Sequence, residues 1–256
     1  MAIGIMGAMP EEIFLISENI TGKKITTIGG RDYITGKLCE QNVVAVFSRW
    51  GKVAAAQSAT TLITNFNVKT VIFTGVAGGA DPDLNIGDIV IARDLLQHDM
   101  DASPIPAFKK FEIPLLGLTH FISQLELRTH AEKAAARFLA SSGLADIDSE
   151  ILAEYGILTP KIAVGTIATG DEFIADKQKI AKLREEINGL LCIEMEGAAV
   201  AQVCHEHLVP FVVIRAISDK ADSDAMHDFS KFVKNVVNHY SLGIVTEMLT
   251  QWEHYN

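Results

Sequence analysis

Short apolar, β-branched runs alternate along the chain with stretches whose apolar positions recur at helical spacing. Ile3–Met6 is the first such run. Pro10 and the series Ile13, Leu15 and Ile16 then read as a helix with proline in its first turn. Lys24–Ile28, Arg31–Leu38 and Asn42–Phe47 read as strands, the first two joined by a hairpin turn at Gly29-Gly30. A helix from Val53 to about Phe66 follows Gly51. Val71–Phe73 is a buried-type strand that enters Thr74-Gly75-Val76-Ala77-Gly78-Gly79, where a tight strand–helix turn is expected, and Ile86–Ala92 is the next strand. Residues 99–117 carry Pro104, Pro106 and Pro114 and no regular period, which predicts a long loop of a kind that is often functional.

Further along, His120–Ser142 reads as a helix and Ile162–Ile167 as a strand ending in Thr169-Gly170-Asp171. Lys177–Ile187 is helical, Cys192–Met195 a short strand, and Gly197–His205 a helix. Phe211–Ile217 is a β-branched strand ending at Ser218-Asp219. The last helix, Phe229–Leu249, carries Phe232, Val233, Val236, Val237, Tyr240, Ile244, Val245 and Met248 on one stripe. This alternation predicts an α/β fold, a three-layer sandwich with a central mixed, largely parallel sheet flanked by helices. Ligands in such folds sit beyond the carboxyl ends of strands. Glu12, Gly75–Gly79, Thr169–Asp171, Glu194–Glu196 and Ser218-Asp219 all fall at those ends.

Composition narrows the partners. The 256 residues are 48% hydrophobic, enough for one sizeable core, and no compositional break divides them, so a single domain over 1–256 is expected. A formal net charge of −10 argues against tracking a nucleic-acid backbone. No apolar run reaches the ~18 residues of a membrane span, so no membrane partner is expected. The start of the chain lacks a basic segment, and Cys39, Cys192 and Cys204 are an odd, widely spaced set. Both features suit reduced thiols and a cytoplasmic location.

Glu12, Glu196 and Asp219 each follow an apolar run. Acids there often cap the next helix, and three at one sheet edge also suit acid–base chemistry. Breaking a ribose–adenine bond needs an acid to protonate the base and a second group to deprotonate water. A further carboxylate can grip the ribose hydroxyls. Gly75–Gly79 lacks the Gly-Lys-Ser/Thr of a phosphate loop, and Gly4-Ile5-Met6-Gly7 lacks the dinucleotide spacing. His205-Glu206-His207 lacks the HExxH spacing, so no metal site is expected. His98-Asp99 reads as support for the loop that follows. Arg215 lies in an apolar strand and needs a carboxylate partner, with Glu12, Glu194 and Glu196 as the choices.

Several segments occur together and in order: Gly4–Glu12, Gly51-Lys52-Val53, Thr74–Gly79, Gly87–Val90, His98–Asp101, Thr169–Phe173, Ile193–Glu196 and Arg215–Asp219. In this, the chain resembles the 5′-methylthioadenosine/S-adenosylhomocysteine nucleosidases of the purine nucleoside phosphorylase and nucleosidase superfamily, over nearly its whole length. The resemblance implies a nucleoside phosphorylase-like fold, a homodimer, no cofactor, and a role in methionine salvage and S-adenosylmethionine recycling. It implies Glu12 as the base that orients water, Asp219 as the acid at purine N7 with Ser218 positioning it, and Arg215 supporting the water site. Met195 and Glu196 would bind ribose. Phe173 would stack on adenine and the Ile174 backbone would read its edge. Met9 and Phe229 would line the sugar and 5′ side, with Ala77 and Gly78 also touching substrate.

Three departures from the family pattern stand out. Val76 replaces a frequent serine, Trp50 a smaller aliphatic residue, and the loop Ala102–Gly117 is unusually proline-rich. Ile105 and Phe108 on that loop are expected to line the 5′ pocket. A phosphate-dependent phosphorylase would need arginine near Gly75–Gly79 or in the first loop. Val71-Ile72-Phe73-Thr74 has none, and Glu11 and Glu12 occupy the loop. Hydrolysis of 6-amino-6-deoxyfutalosine, which shares adenine and ribose, is the other alternative.

Overall fold

The computed structural model describes residues 1–221 and 225–252. In chain order the elements are β1 (Ala2–Gly7), α1 (Pro10–Asn19), β2 (Thr21–Ile28), β3 (Arg31–Leu38), β4 (Gln41–Phe47), α2 (Lys52–Phe66), β5 (Val68–Gly79) and β6 (Ile89–Gln97). They continue with β7 (Phe121–Ile122), α3 (Leu125–Ala140), α4 (Ser149–Glu154), β8 (Ile162–Thr169), α5 (Lys177–Glu186) and β9 (Leu190–Glu194). The last four are α6 (Gly197–Glu206), β10 (Phe211–Asp219), α7 (Ala225–Asn235) and α8 (Val237–Thr250).

All strands join one mixed sheet in which β5 is the hub. Its first half pairs in parallel with β1, from Ile3 against Thr70 to Met6 against Phe73. Along its other edge it pairs in parallel with β10, from Phe211 against Val71 to Asp219 against Gly78. Its last residues pair antiparallel with β9. Because β10 also pairs with β6, β6 with β8 and β8 with β9, strands β5, β10, β6, β8 and β9 close on themselves. Closure leaves these strands no free edge, as in a small barrel. The β4–β3–β2 meander extends the sheet beyond β1.

Helices cover both faces. α1, α3 and α8 pack together on one side, over a core that includes Ile5, Ile72, Ile91, Phe138, Ile214, Phe232 and Tyr240. α2 and α6 pack on the other, over Met6, Phe73, Leu95, Ile167, Phe211 and Val213. Successive strand residues alternate between these two cores, as the pleat requires.

Four expectations are corrected. Gly75–Gly79 is not a turn but the second half of β5. β6 runs on through Arg93 and Asp94 to Gln97, where its polar pair is satisfied by Thr166. The segment from His120 is not helical at its start: Phe121–Ile122 pairs with β6, and the helix begins at Leu125. The long C-terminal helix is two, broken at Val236 with φ −123. Val236 and Val237 are both fully buried, so apolar periodicity runs through the break and conceals it.

Candidate active site

The carboxyl ends of β1, β5, β9 and β10 meet at one cleft, the kind of concave, largely apolar place where small ligands bind. Met9, Glu12, Ala77, Gly78, Phe173, Ile174, Met195, Glu196, Ser218, Asp219 and Phe229 all line it. Eleven of the fourteen positions expected at the site are therefore brought together; Arg215, Ile105 and Phe108 are the exceptions. The lining also includes Ala8, Trp50, Val76, Glu172, Ile193, Glu194 and Ala221. Of these, Trp50 and Val76 stand out in the sequence as departures.

Glu12 sits in the first turn of α1 and is buried. Its Oε2 accepts the backbone N–H of Ala8 at 2.5 Å and of Met9 at 3.0 Å, and its Oε1 that of Val76 at 3.0 Å. The Met9 bond is the helix-capping contact anticipated for such an acid. The Val76 bond is not: it fixes the carboxylate across β5. Burial raises its pKa to about 7, and Arg215 opposes the rise. Glu12 is thus poised to gain or lose a proton near neutral pH.

The glycines of β5 owe their place to close approach. A Cβ on Gly75 would fall on Glu12 Oε1, and one on Gly78 would lie 3.0 Å from Asp219 Oδ1. Side chains here would displace the two carboxylates that flank the strand. Asp219, at the end of β10, is itself buried. Its Oδ1 accepts Ala221 N–H at 2.8 Å, and its Oδ2 accepts the Ser218 hydroxyl at 2.8 Å.

Arg215 lies beneath the cleft at 1% exposure. Its Nη2 donates to Glu194 Oε2 at 2.7 Å, and its guanidinium stacks 4.1 Å from the centre of the Phe73 ring. Among the three possible partners, Glu194 is the one paired. Glu194 also accepts the N–H groups of Glu196 and Gly197, capping α6, and the hydroxyl of Thr169. Glu196 Oε1 instead accepts Gly51 N–H at 2.8 Å. Burial, then the neighbouring Glu194 charge, pushes Glu196 above the usual carboxylate range. Three buried carboxylates share one guanidinium, so the cleft favours added positive charge.

The rim is aromatic. Phe229 meets Phe173 edge-on at 5.4 Å and Trp50 edge-on at 6.1 Å. Phe173 is 37% exposed, a flat face presented at the mouth. Contrary to expectation, the Asp99 side chain supports not the loop that follows it but Lys52 and Asp171 at the rim. Asp99 accepts Lys52 Nζ at 2.5 Å and Asp171 N–H at 3.0 Å, and Asp171 accepts Lys52 N–H at 2.8 Å. Ile105 and Phe108 do not line the cleft. Bridges between Asp101 and Lys110 and between Ile113 and Leu118 fold their loop on itself, and Ile105 is exposed.

The family model described as the phosphorylase superfamily matches residues 2–250. A 5′-methylthioadenosine/S-adenosylhomocysteine nucleosidase of Shewanella denitrificans is 36% identical over 98% of this chain and 100% of its own. The crystal structure of the Neisseria meningitidis nucleosidase of that name, in complex with methylthio-immucillin-A, superposes with a TM-score of 0.85 at 30% identity, covering 98% and 99% of the two chains. The futalosine hydrolase of Helicobacter pylori superposes with a TM-score of 0.82 at 31% identity, covering 98% and 97%.

Proposed function

The chain belongs to the phosphorylase superfamily and, within it, to the 5′-methylthioadenosine/S-adenosylhomocysteine nucleosidases, and we propose that its cleft hydrolyses the N-glycosidic bond of these two nucleosides to adenine and the 5-thioribose product. The carrying observation is the charge of the lining. Among the described residues it contains Glu12, Glu172, Glu194, Glu196 and Asp219 and neither lysine nor arginine. Phosphorolysis needs a bound phosphate and cationic donors to hold it. Water needs a base, and Glu12 with its neutral-range pKa suits that task.

In this reading adenine lies against Phe173, with the Ile174 backbone at its edge. Glu196 and Met195 hold the ribose, and Met9 and Phe229 face the 5′ side. Asp219, oriented by Ser218, protonates the departing base at N7, and ionised Glu12 takes a proton from the attacking water. Glu12, packed over Gly75, and Asp219, beside Gly78, both line the cleft, and sugar and water lie between them. As the C–N bond breaks, the sugar becomes oxocarbenium-like. Its positive charge stabilises Glu12 and Glu196 as anions, so their electrostatic strain falls in the transition state. Arg215 is a positioning residue that holds Glu194 and tempers Glu12. No cofactor or metal is needed for these steps, which serve methionine salvage and S-adenosylmethionine recycling.

The reading includes one catalytic domain, a homodimer and a cytoplasmic location. Val53 at 82% exposure and, on the loop Ala102–Gly117, Leu115 at 96% leave apolar surface suited to a second copy. Cys39, Cys192 and Cys204 are free thiols, in keeping with a reducing compartment. A second reading, 6-amino-6-deoxyfutalosine hydrolysis, draws on the likeness to the futalosine hydrolase and uses the same adenine and ribose contacts. Adenine release from each nucleoside, with and without phosphate, tests the proposal. Turnover of the two thio-nucleosides in phosphate-free buffer is expected, and a strict phosphate requirement overturns it.

A further inference from the structure

Beside the cleft lies a second, open groove lined by Met9, Pro10, Glu11, Phe47, Arg49, Trp50, Phe229, Ser230 and Val233. Met9, Trp50 and Phe229 belong to both, so the groove continues the cleft on the side assigned to the 5′ substituent. Its character differs from the cleft's. An apolar stretch leads to two exposed groups of opposite charge, Arg49 and Glu11.

Arg49 is held there at a cost. Its φ of 74° is left-handed, a conformation that glycine adopts without strain and other residues resist. Its Nη2 donates to Gly30 O at 2.7 Å, which anchors the guanidinium over the β2–β3 turn and uses one of five donors. Among the described residues no carboxylate pairs with it. In a chain of net charge −10, an anionic group approaching the cleft needs such a local cation.

Methylthioadenosine ends in a methyl group, whereas S-adenosylhomocysteine ends in an α-carboxylate and an α-ammonium joined to the same sulfur by a short apolar stem. We propose that the outer groove is a subsite for this amino-acid end, Arg49 taking the carboxylate and Glu11 the ammonium. The inference rests on the nucleosidase reading and assigns its substrate range to two residues outside the catalytic cleft.

The test compares kcat/KM for both thio-nucleosides in the wild type, Arg49→Gln, Arg49→Lys and Glu11→Gln, with Tm as a folding control. For S-adenosylhomocysteine, each neutralising change is expected to lower kcat/KM about three- to fivefold, as suits an exposed ion pair. Methylthioadenosine is expected to stay within about twofold. Arg49→Lys should recover part of the loss. Raised salt should lower the wild-type kcat/KM for S-adenosylhomocysteine more than that for methylthioadenosine, since exposed charge pairs are screened. Equal losses on both substrates, or no loss on S-adenosylhomocysteine, overturn the subsite. Loss with Arg49→Gln but not Glu11→Gln overturns the amino-acid assignment in favour of a simple carboxylate, such as the carboxyphenyl end of 6-amino-6-deoxyfutalosine. Failure of the wild type to release adenine from either thio-nucleoside refutes the nucleosidase reading itself, a result distinct from all of these.

Discussion

Replacing Glu12 by glutamine tests the mechanism through two separate quantities. The change removes the carboxyl group assigned to accept a proton from water, and a positioned base contributes about 10²–10⁴-fold to rate; kcat should fall by that much. The fold should survive. Glutamine has one acceptor oxygen for the three backbone donors Ala8, Met9 and Val76. With its oxygen toward Ala8 and Met9, its amide faces the Val76 N–H and strands that donor, a loss of about 1–3 kcal/mol. Against this, raising a fully buried glutamate from 4.5 to about 7 implies about 3 kcal/mol of ionisation penalty at pH 8. The folded state holds this proton more tightly than the unfolded chain. The wild type therefore loses stability as pH rises from about 4.5 to about 7, and the variant lacks that loss. The difference in Tm, variant minus wild type, should rise by about 5 °C between pH 5 and pH 8. Calorimetric scans at the two pH values and initial rates of adenine release measure both. A kcat within tenfold of wild type removes Glu12 as the base, and a pH-independent Tm difference refutes its raised pKa.

Other consequences are equally direct. Asp219→Asn should lose about 10²–10⁴-fold in kcat while still binding methylthioadenosine by calorimetry, because the acid is lost but its contacts are largely kept. Gly75→Ala should lower activity at least about tenfold through displacement of Glu12, with Tm changing less than activity. Arg215→Met leaves Glu194 buried without its cation and should destabilise the protein by about 3–5 kcal/mol in urea unfolding. The wild-type kcat/KM should fall as pH drops below about 7, as Glu12 takes up a proton; a flat profile through that range contradicts the assignment.

Much of this site is legible in the sequence because strand–helix alternation places polar residues at strand ends. Glu12, Glu196 and Asp219 follow apolar runs and do converge. Arg215, charged inside an apolar strand, announces a buried carboxylate partner but not which one. Pairing with Glu194 is decided by its position at the end of β9, beside the second half of β5. The glycine-rich segment misleads, since a turn and a strand overlain by carboxylates ask for the same residue. Glycine at Gly75 and Gly78 reflects what other elements lay over β5, a long-range fact that local pattern does not carry. The break at Val236 is hidden for a related reason: both helices bury the same apolar stripe. Closure of β5, β10, β6, β8 and β9 is likewise invisible in periodicity, which reports faces and not neighbours.

The central claim is that water, activated by Glu12, replaces adenine on the ribose. Turnover of methylthioadenosine in oxygen-18 water with phosphate present, followed by mass spectrometry of the sugar product, tests it most directly. The account predicts a free 5-methylthioribose carrying one heavy oxygen at its anomeric carbon. A sugar 1-phosphate without the label would contradict it.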